Sequence, residues 1–189
     1  MKLLRTIRLD ASDSFVYDRA AAAGEWAVPG AFEFWGADPA VLEGRPRQAF
    51  RGGFLGLSSF GWSTLVVAVP ITAEERAAAT EALAKHLLRA HGAPDLNSAL
   101  TAAAEEITAA IALADHPEGT LIALHRTQDS DGNIREQFRT LRPADAREAA
   151  RMPCSAGAFA IVEDDTASTD GEDVSLLDLA GPDRQRRTP

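Results

Sequence analysis

Two periodicities divide this chain. Through most of residues 1–70 apolar side chains alternate with polar ones or run on continuously, whereas between 73 and 115 they return every three or four positions. Alternation puts successive side chains on opposite faces of a strand, and the longer period keeps them on one face of a helix. Leu3 to Leu9 reads as a first strand, with Phe15 to Tyr17 pairing back across Asp10 to Ser14. Glu25 to Val28 reads as a short strand stopped by Pro29-Gly30, and Gly36 to Arg47 as a loop with a helical turn at Pro39 to Glu43. The run Phe50 to Pro70, FRGGFLGLSSFGWSTLVVAVP, interleaves glycines with aromatics. Within it and just before it, Gln48 to Leu57 and Phe60 to Val69 read as a hairpin. The second of these is apolar on both faces, as a central strand is.

Thr72-Ala73-Glu74-Glu75 then carries a capping-box pattern and opens a helix to about His91, stopped by Gly92. Leu83, Leu87 and Ala90 form its inner stripe. A second helix runs from Asn97 or Ser98 to about Asp115, with Leu100, Ala103, Ile107, Ala110, Ile111 and Ala114 inward and Glu105 and Glu106 turned outward. Thr120 to Thr127 and Ile134 to Leu141 form a hairpin about Asp129 to Asn133. Ala144 to Arg151 reads as a short helix and Ala158 to Val162 as a last strand. Together these elements predict an α+β fold: an antiparallel sheet of five to seven strands, covered on one side by the two consecutive helices at about 73–91 and 98–115.

Composition sharpens the domain boundary. Residues 143–189 hold ten acidic residues against five arginines, and DDTASTDGED offers too little apolar surface to offset the entropy of ordering it. The expectation is one domain, 1–162, followed by an acidic, disordered tail, 163–189. The net charge of −9 argues against nonspecific nucleic-acid binding, which needs a cationic face. No apolar run approaches the roughly 18–20 residues that span a bilayer. Arg5 and Arg8 interrupt the segment that would serve as a signal peptide, so the expectation is a cytoplasmic protein with no membrane role. A single cysteine, Cys154, excludes a disulfide framework and any cysteine-cluster metal site.

Catalytic templates fail at named positions. Gly56-Leu57-Ser58-Ser59-Phe60 and Gly61-Trp62-Ser63-Thr64-Leu65 each lack the second small residue of a nucleophile elbow, and strand follows where helix is required. Gly52-Gly53-Phe54-Leu55-Gly56 lacks the helix behind it that a phosphate cradle needs, so its glycines read as room for a bulge or for a large aromatic packed across a strand. His86 and His91 stand five apart, about 140° around an ideal helix, and so do not clamp one ion as an i, i+4 pair does. No metal or other cofactor is expected on these grounds. The remaining chemistry lies in Arg126, Arg135, Arg139 and Arg142, a set of guanidinium groups able to grip a carboxylate or phosphate. Glu106 or His125 would stand by as acid or base. Against this stands an exposed face whose arginines meet Glu136, the acidic tail or a neighbouring subunit.

The segments LLRTIRLDASDSFV, EWAVPGAFEFW, RQAFRGGFLGLSSFGWSTLVVAV and HPEGTLIALHRT resemble a family of small uncharacterised bacterial proteins over residues 1 to about 142. The resemblance implies an accessory role beside a redox-enzyme system, of the kind that serves molybdenum-dependent formate dehydrogenases. It supplies no residue roles. The reading that follows is a non-enzymatic accessory or binding protein that meets a protein partner or self-associates, with the partner surface among Trp26, Trp35 and Trp62. The alternative is an enzyme or binding protein for a small anionic metabolite held by the four arginines.

Overall fold

The first strand of the chain, β1 (Lys2–Ile7), lies in the interior of the sheet because both its faces are covered: Leu3 and Leu4 are each fully buried. It pairs on one side with β2 (Trp26–Val28) and on the other with β5 (Leu65–Pro70), with Leu4 opposite Ala27 and Ala68. The computed structural model describes residues 1–129, 132–143 and 159–162. Beyond β2 the sheet continues through β3 (Phe54–Gly56) to the two-residue β4 (Trp62–Ser63). Beyond β5 it continues through β6 (Leu121–Gln128) and β7 (Ile134–Pro143) to β8 (Phe159–Val162). The order is β4-β3-β2-β1-β5-β6-β7-β8, antiparallel throughout. Seven strands have three residues or more, and β4 extends one edge. The expected α+β class is observed.

Two long helices form a hairpin over the sheet. In α3 (Ala73–Ala90) the capping box is present: Glu75 N–H donates to Thr72 Oγ1 at 3.1 Å, and Thr72 N–H to Glu75 Oε2 at 3.0 Å. The second, α4 (Leu96–Leu113), is capped by Asp95, which accepts from Ser98 N–H at 2.8 Å. Small residues let α4 lie close. Ala99, Ala103, Ile107, Ala110 and Ala114 are buried at helical spacing, facing Leu83, Ala84 and Leu87 of α3 and the apolar residues of β1 and β2. Burying a Leu or Ile here is worth roughly 1.5–3 kcal/mol. Ala90 is exposed instead of inward, because the helix ends there. Glu106, expected outward, turns inward and accepts from Gly30 N–H at 3.2 Å.

Three segments depart from the sequence expectation. Ser12–Val16 is a short helix, α1, where a strand was expected around Phe15. Its Asp13 is buried and accepts from Thr64 Oγ1 at 2.6 Å and Ser63 Oγ at 3.3 Å. That carboxylate intrudes on the continuous strand expected over Phe60–Val69, which is divided into β4 and β5 at Thr64. Gln48–Leu57 is half helix and half strand: its first five residues complete α2 (Gly44–Gly52), where Pro46 is tolerated in the first turn, and Phe54–Gly56 is β3. The glycine reading holds at Gly53, where an added Cβ would sit 2.7 Å from the Trp62 ring and 2.8 Å from the Ala49 carbonyl. The strand expected at Ala158–Val162 is β8. The helix expected at Ala144–Arg151 and the tail 163–189 lie outside the described residues.

The sheet curls strongly. Arg126 of β6 reaches carbonyls beside β2 and β3, three and four strands away in the sheet order, and the Phe54 and Phe138 rings lie 6.5 Å apart although β3 and β7 are five strands apart. The right-handed twist of strands, accumulated over the sheet, has this consequence. It brings the segment after β2 against the β6–β7 hairpin.

Candidate functional site

The hairpin register sorts the predicted arginines. Residues directly opposite in an antiparallel pair share a face. Arg126 stands opposite Glu136, while Arg135 stands opposite Thr127 and Arg139 opposite Ala123. Arg126 therefore points to the face opposite that of Arg135 and Arg139. It is 1% exposed and saturated within the fold: Nε donates to Glu136 Oε1 at 2.6 Å, Nη1 to the carbonyls of Gly53 at 2.9 Å and Phe50 at 3.2 Å, and Nη2 to the carbonyl of Pro29. The Phe34 ring lies 6.0 Å from its guanidinium carbon. Burial lowers the Arg126 pKa, and Glu136 opposes that shift. Burial likewise raises the carboxyl of Glu106, with Glu136 adding to the effect and the Gly30 N–H and Arg126 working against it.

Arg135 and Arg139 face solvent. Arg135 donates to Asp129 at 3.2 Å. Arg139 lies near Arg51 of α2 and His125, whose pKa is lowered by partial burial and by these two positive charges. Arg126 thus does not share a site with Arg135 and Arg139. The backbone of Arg142 lies in β7 opposite Ala160, and its side chain is outside the described residues.

The three tryptophans also separate. Trp62 stacks on Phe34 with centroids 5.3 Å apart and packs into the core. Trp26 is half-buried beneath the Arg5 guanidinium. Trp35 is 75% exposed. It follows a single turn of 3-10 helix, Ala31–Phe34, that buries Phe32 and Phe34 and leaves the next ring outside. Between this turn and the hairpin tip is a cavity of about 470 Å³, lined by Phe34, Trp35 and Pro39 on one side and by Gln128, Asn133 and Glu136 on the other. Among the described residues no arginine lines it.

The same turn carries Glu33, which the sequence reading passed over. Its Oε1 lies 2.5 Å from His86 Nε2 and 3.2 Å from His91 Nε2. Spacing along an ideal helix separates these histidines, and this expectation is corrected by the structure. His91 is the C-cap of α3, at φ −116° and ψ 9°, so it has left the helical track and its ring lies 5.2 Å from that of His86. The potential ligand atoms of Glu33, His86 and His91 all lie within 4.8 Å of one another. The only sequence signals were the histidine near a stop glycine and a carboxylate in an aromatic turn. Nothing local links residues 53 positions apart.

These features define a single curled-sheet α+β protein with an aromatic–acidic cavity at the hairpin tip and a two-histidine, one-carboxylate cluster behind the same turn. Residues 1–160 match the model of a family of unknown function (DUF6505), and the chain belongs to that family. The match extends beyond the region of resemblance seen in the sequence and reaches the first two residues of β8. No curated protein and no solved structure matches the chain.

Proposed function

We propose that this is a non-enzymatic binding protein whose partner is a polypeptide presenting a basic side chain to the cavity beside Trp35. The observation that supports this is the exposed Trp35 ring at the rim of a cavity whose polar wall is Glu136, Gln128 and Asn133. An aromatic face beside a carboxylate suits a lysine or arginine through cation–π and charge-assisted contacts. Trp35 is a large ring presented at little entropic cost, as binding hot spots require. Its exposure makes the test clean: W35A leaves denaturant stability within about 0.5 kcal/mol of the parent. Paired capture with parent and W35A baits, together with native mass spectrometry, then reads the surface. A partner or a second copy held by the parent and lost by W35A supports the proposal. The same complexes with both baits would sink it.

A second reading, an anion site, is favoured by the grouping of Arg51, Arg139 and His125 on the opposite face. It predicts that inorganic phosphate raises the His125 pKa by offsetting the arginine charges. A His125 titration unmoved by phosphate removes it.

A further inference from the structure

We infer that Glu33, His86 and His91 form a binding site for one divalent transition-metal ion of the zinc class. The donor set comes first. Two imidazoles and a carboxylate, with no thiolate, suit zinc and its neighbours, whereas calcium and magnesium prefer all-oxygen shells. The geometry is close to what an ion requires. With bonds of 2.0–2.2 Å, tetrahedral ligand atoms stand about 3.4 Å apart. His91 Nε2 is already 3.2 Å from Glu33 Oε1, and the 2.5 Å approach of His86 would lengthen to admit the ion.

One donor is held without a conventional partner. His91 Nε2 is buried and, among the described residues, makes no hydrogen bond, although the Glu33 carboxylate is near. Buried polar atoms are nearly always paired, so a buried imidazole nitrogen without a hydrogen bond beside a carboxylate points to a cation as its partner. The rings are also fixed in place. Phe60 stacks on His86 at 3.9 Å and 9°, and Phe32 meets His91 edge-on at 5.3 Å. Phe60 reaches that position at φ 51°, a left-handed conformation that a bulky residue seldom adopts. The fold thus maintains a strained backbone where the ring orients His86.

The three side chains are 17–21% exposed, so solvent reaches the cluster. Three protein ligands leave a position for water or for a donor from a partner, unlike a closed four-ligand structural site. Because the ligands come from the 31–34 turn, from α3 and from its C-cap, the ion would tie that turn to the end of the helix.

The test uses the full chain stripped with chelator and titrated with Zn²⁺ by calorimetry, with Co²⁺ as a visible-absorption probe of the same site. The expected result is saturable uptake of one equivalent, with a ligand-field spectrum from Co²⁺. E33Q and H91A each lower the affinity at least about tenfold, while E74Q, in the exposed first turn of α3, leaves it unchanged. E33Q preserves side-chain shape, so a folding defect in H91A does not decide the matter. No saturable uptake by the parent, or an affinity unchanged in E33Q, overturns the assignment and leaves the trio as an ordinary carboxylate–histidine contact.

Discussion

Arg126 and Glu33 are both partly or wholly buried charges meeting groups from distant parts of the chain, yet their surroundings differ in completeness. Arg126 places its donors on Glu136 and on three carbonyls, and no solvent reaches it. Glu33 shares one oxygen between two imidazoles, one of them misaligned, in a cluster open to water. A buried charge whose valences are filled by its own fold acts as a structural tie: here it fastens β2, α2 and β3 to β6. A cluster with donors left over is available to something from outside. The difference separates a residue type that looked functional in sequence from one that did not.

The largest effect should come from breaking the saturated region. R126M removes the donor from Glu136 and from the carbonyls of Pro29, Phe50 and Gly53, and should cost about 3–5 kcal/mol, read as a lowered urea midpoint. A loss below about 1 kcal/mol would mean that the network relaxes and that the comparison is misdrawn. Next is the unsaturated cluster. Zn²⁺ at about 100 times its dissociation constant should stabilise the parent by about 2.7 kcal/mol and raise its melting temperature, with E33Q losing at least about half of the gain. Equal shifts in both proteins would place the ion elsewhere.

A smaller effect sharpens the electrostatics of the Arg126 region. Burial raises the Glu106 carboxyl above its ordinary 4.5, so the folded state holds that proton more tightly than the unfolded state. Its contribution is therefore fully present below 4.5 and is lost as pH rises towards the higher folded value. E106Q keeps a neutral acceptor for Gly30 N–H, so its stability relative to the parent should improve as pH rises through that window. A difference independent of pH would show that Glu106 does not titrate abnormally.

The smallest predicted effect lies on the outer face. The His125 pKa is lowered by partial burial and by Arg51 and Arg139, so R139A should raise it towards the ordinary 6.5. Proton NMR of the His125 ring checks the direction. A downward or absent shift would separate Arg139 from His125 and dissolve the anion-binding reading.

What could be read from the sequence follows from the range of the forces involved. The capping box at Thr72 and Glu75, the stripe Ala103–Ile107–Ala110–Ala114 and the hairpin about residues 129–133 are set by neighbours within a few positions, and all appear as expected. The requirement for Gly53 was also legible, because a crowded aromatic strand leaves room for little else. The tertiary structure decided the rest. Asp13 divides the Phe60–Val69 run through contacts some 50 residues away, and the sheet's accumulated curl brings Pro29 and Gly53 to Arg126. Alternation along β7 placed Arg135 and Arg139 together, but only the pairing register showed Arg126 on the other face. The Glu33–His86–His91 cluster lay beyond both kinds of reading. It depends on a helix ending at His91 rather than one turn later, and on Glu33, in a turn 53 residues before His86, meeting that end. Local periodicity determined the elements; burial and curl of the sheet determined which charges were used up in holding them together and which kept donors unpaired.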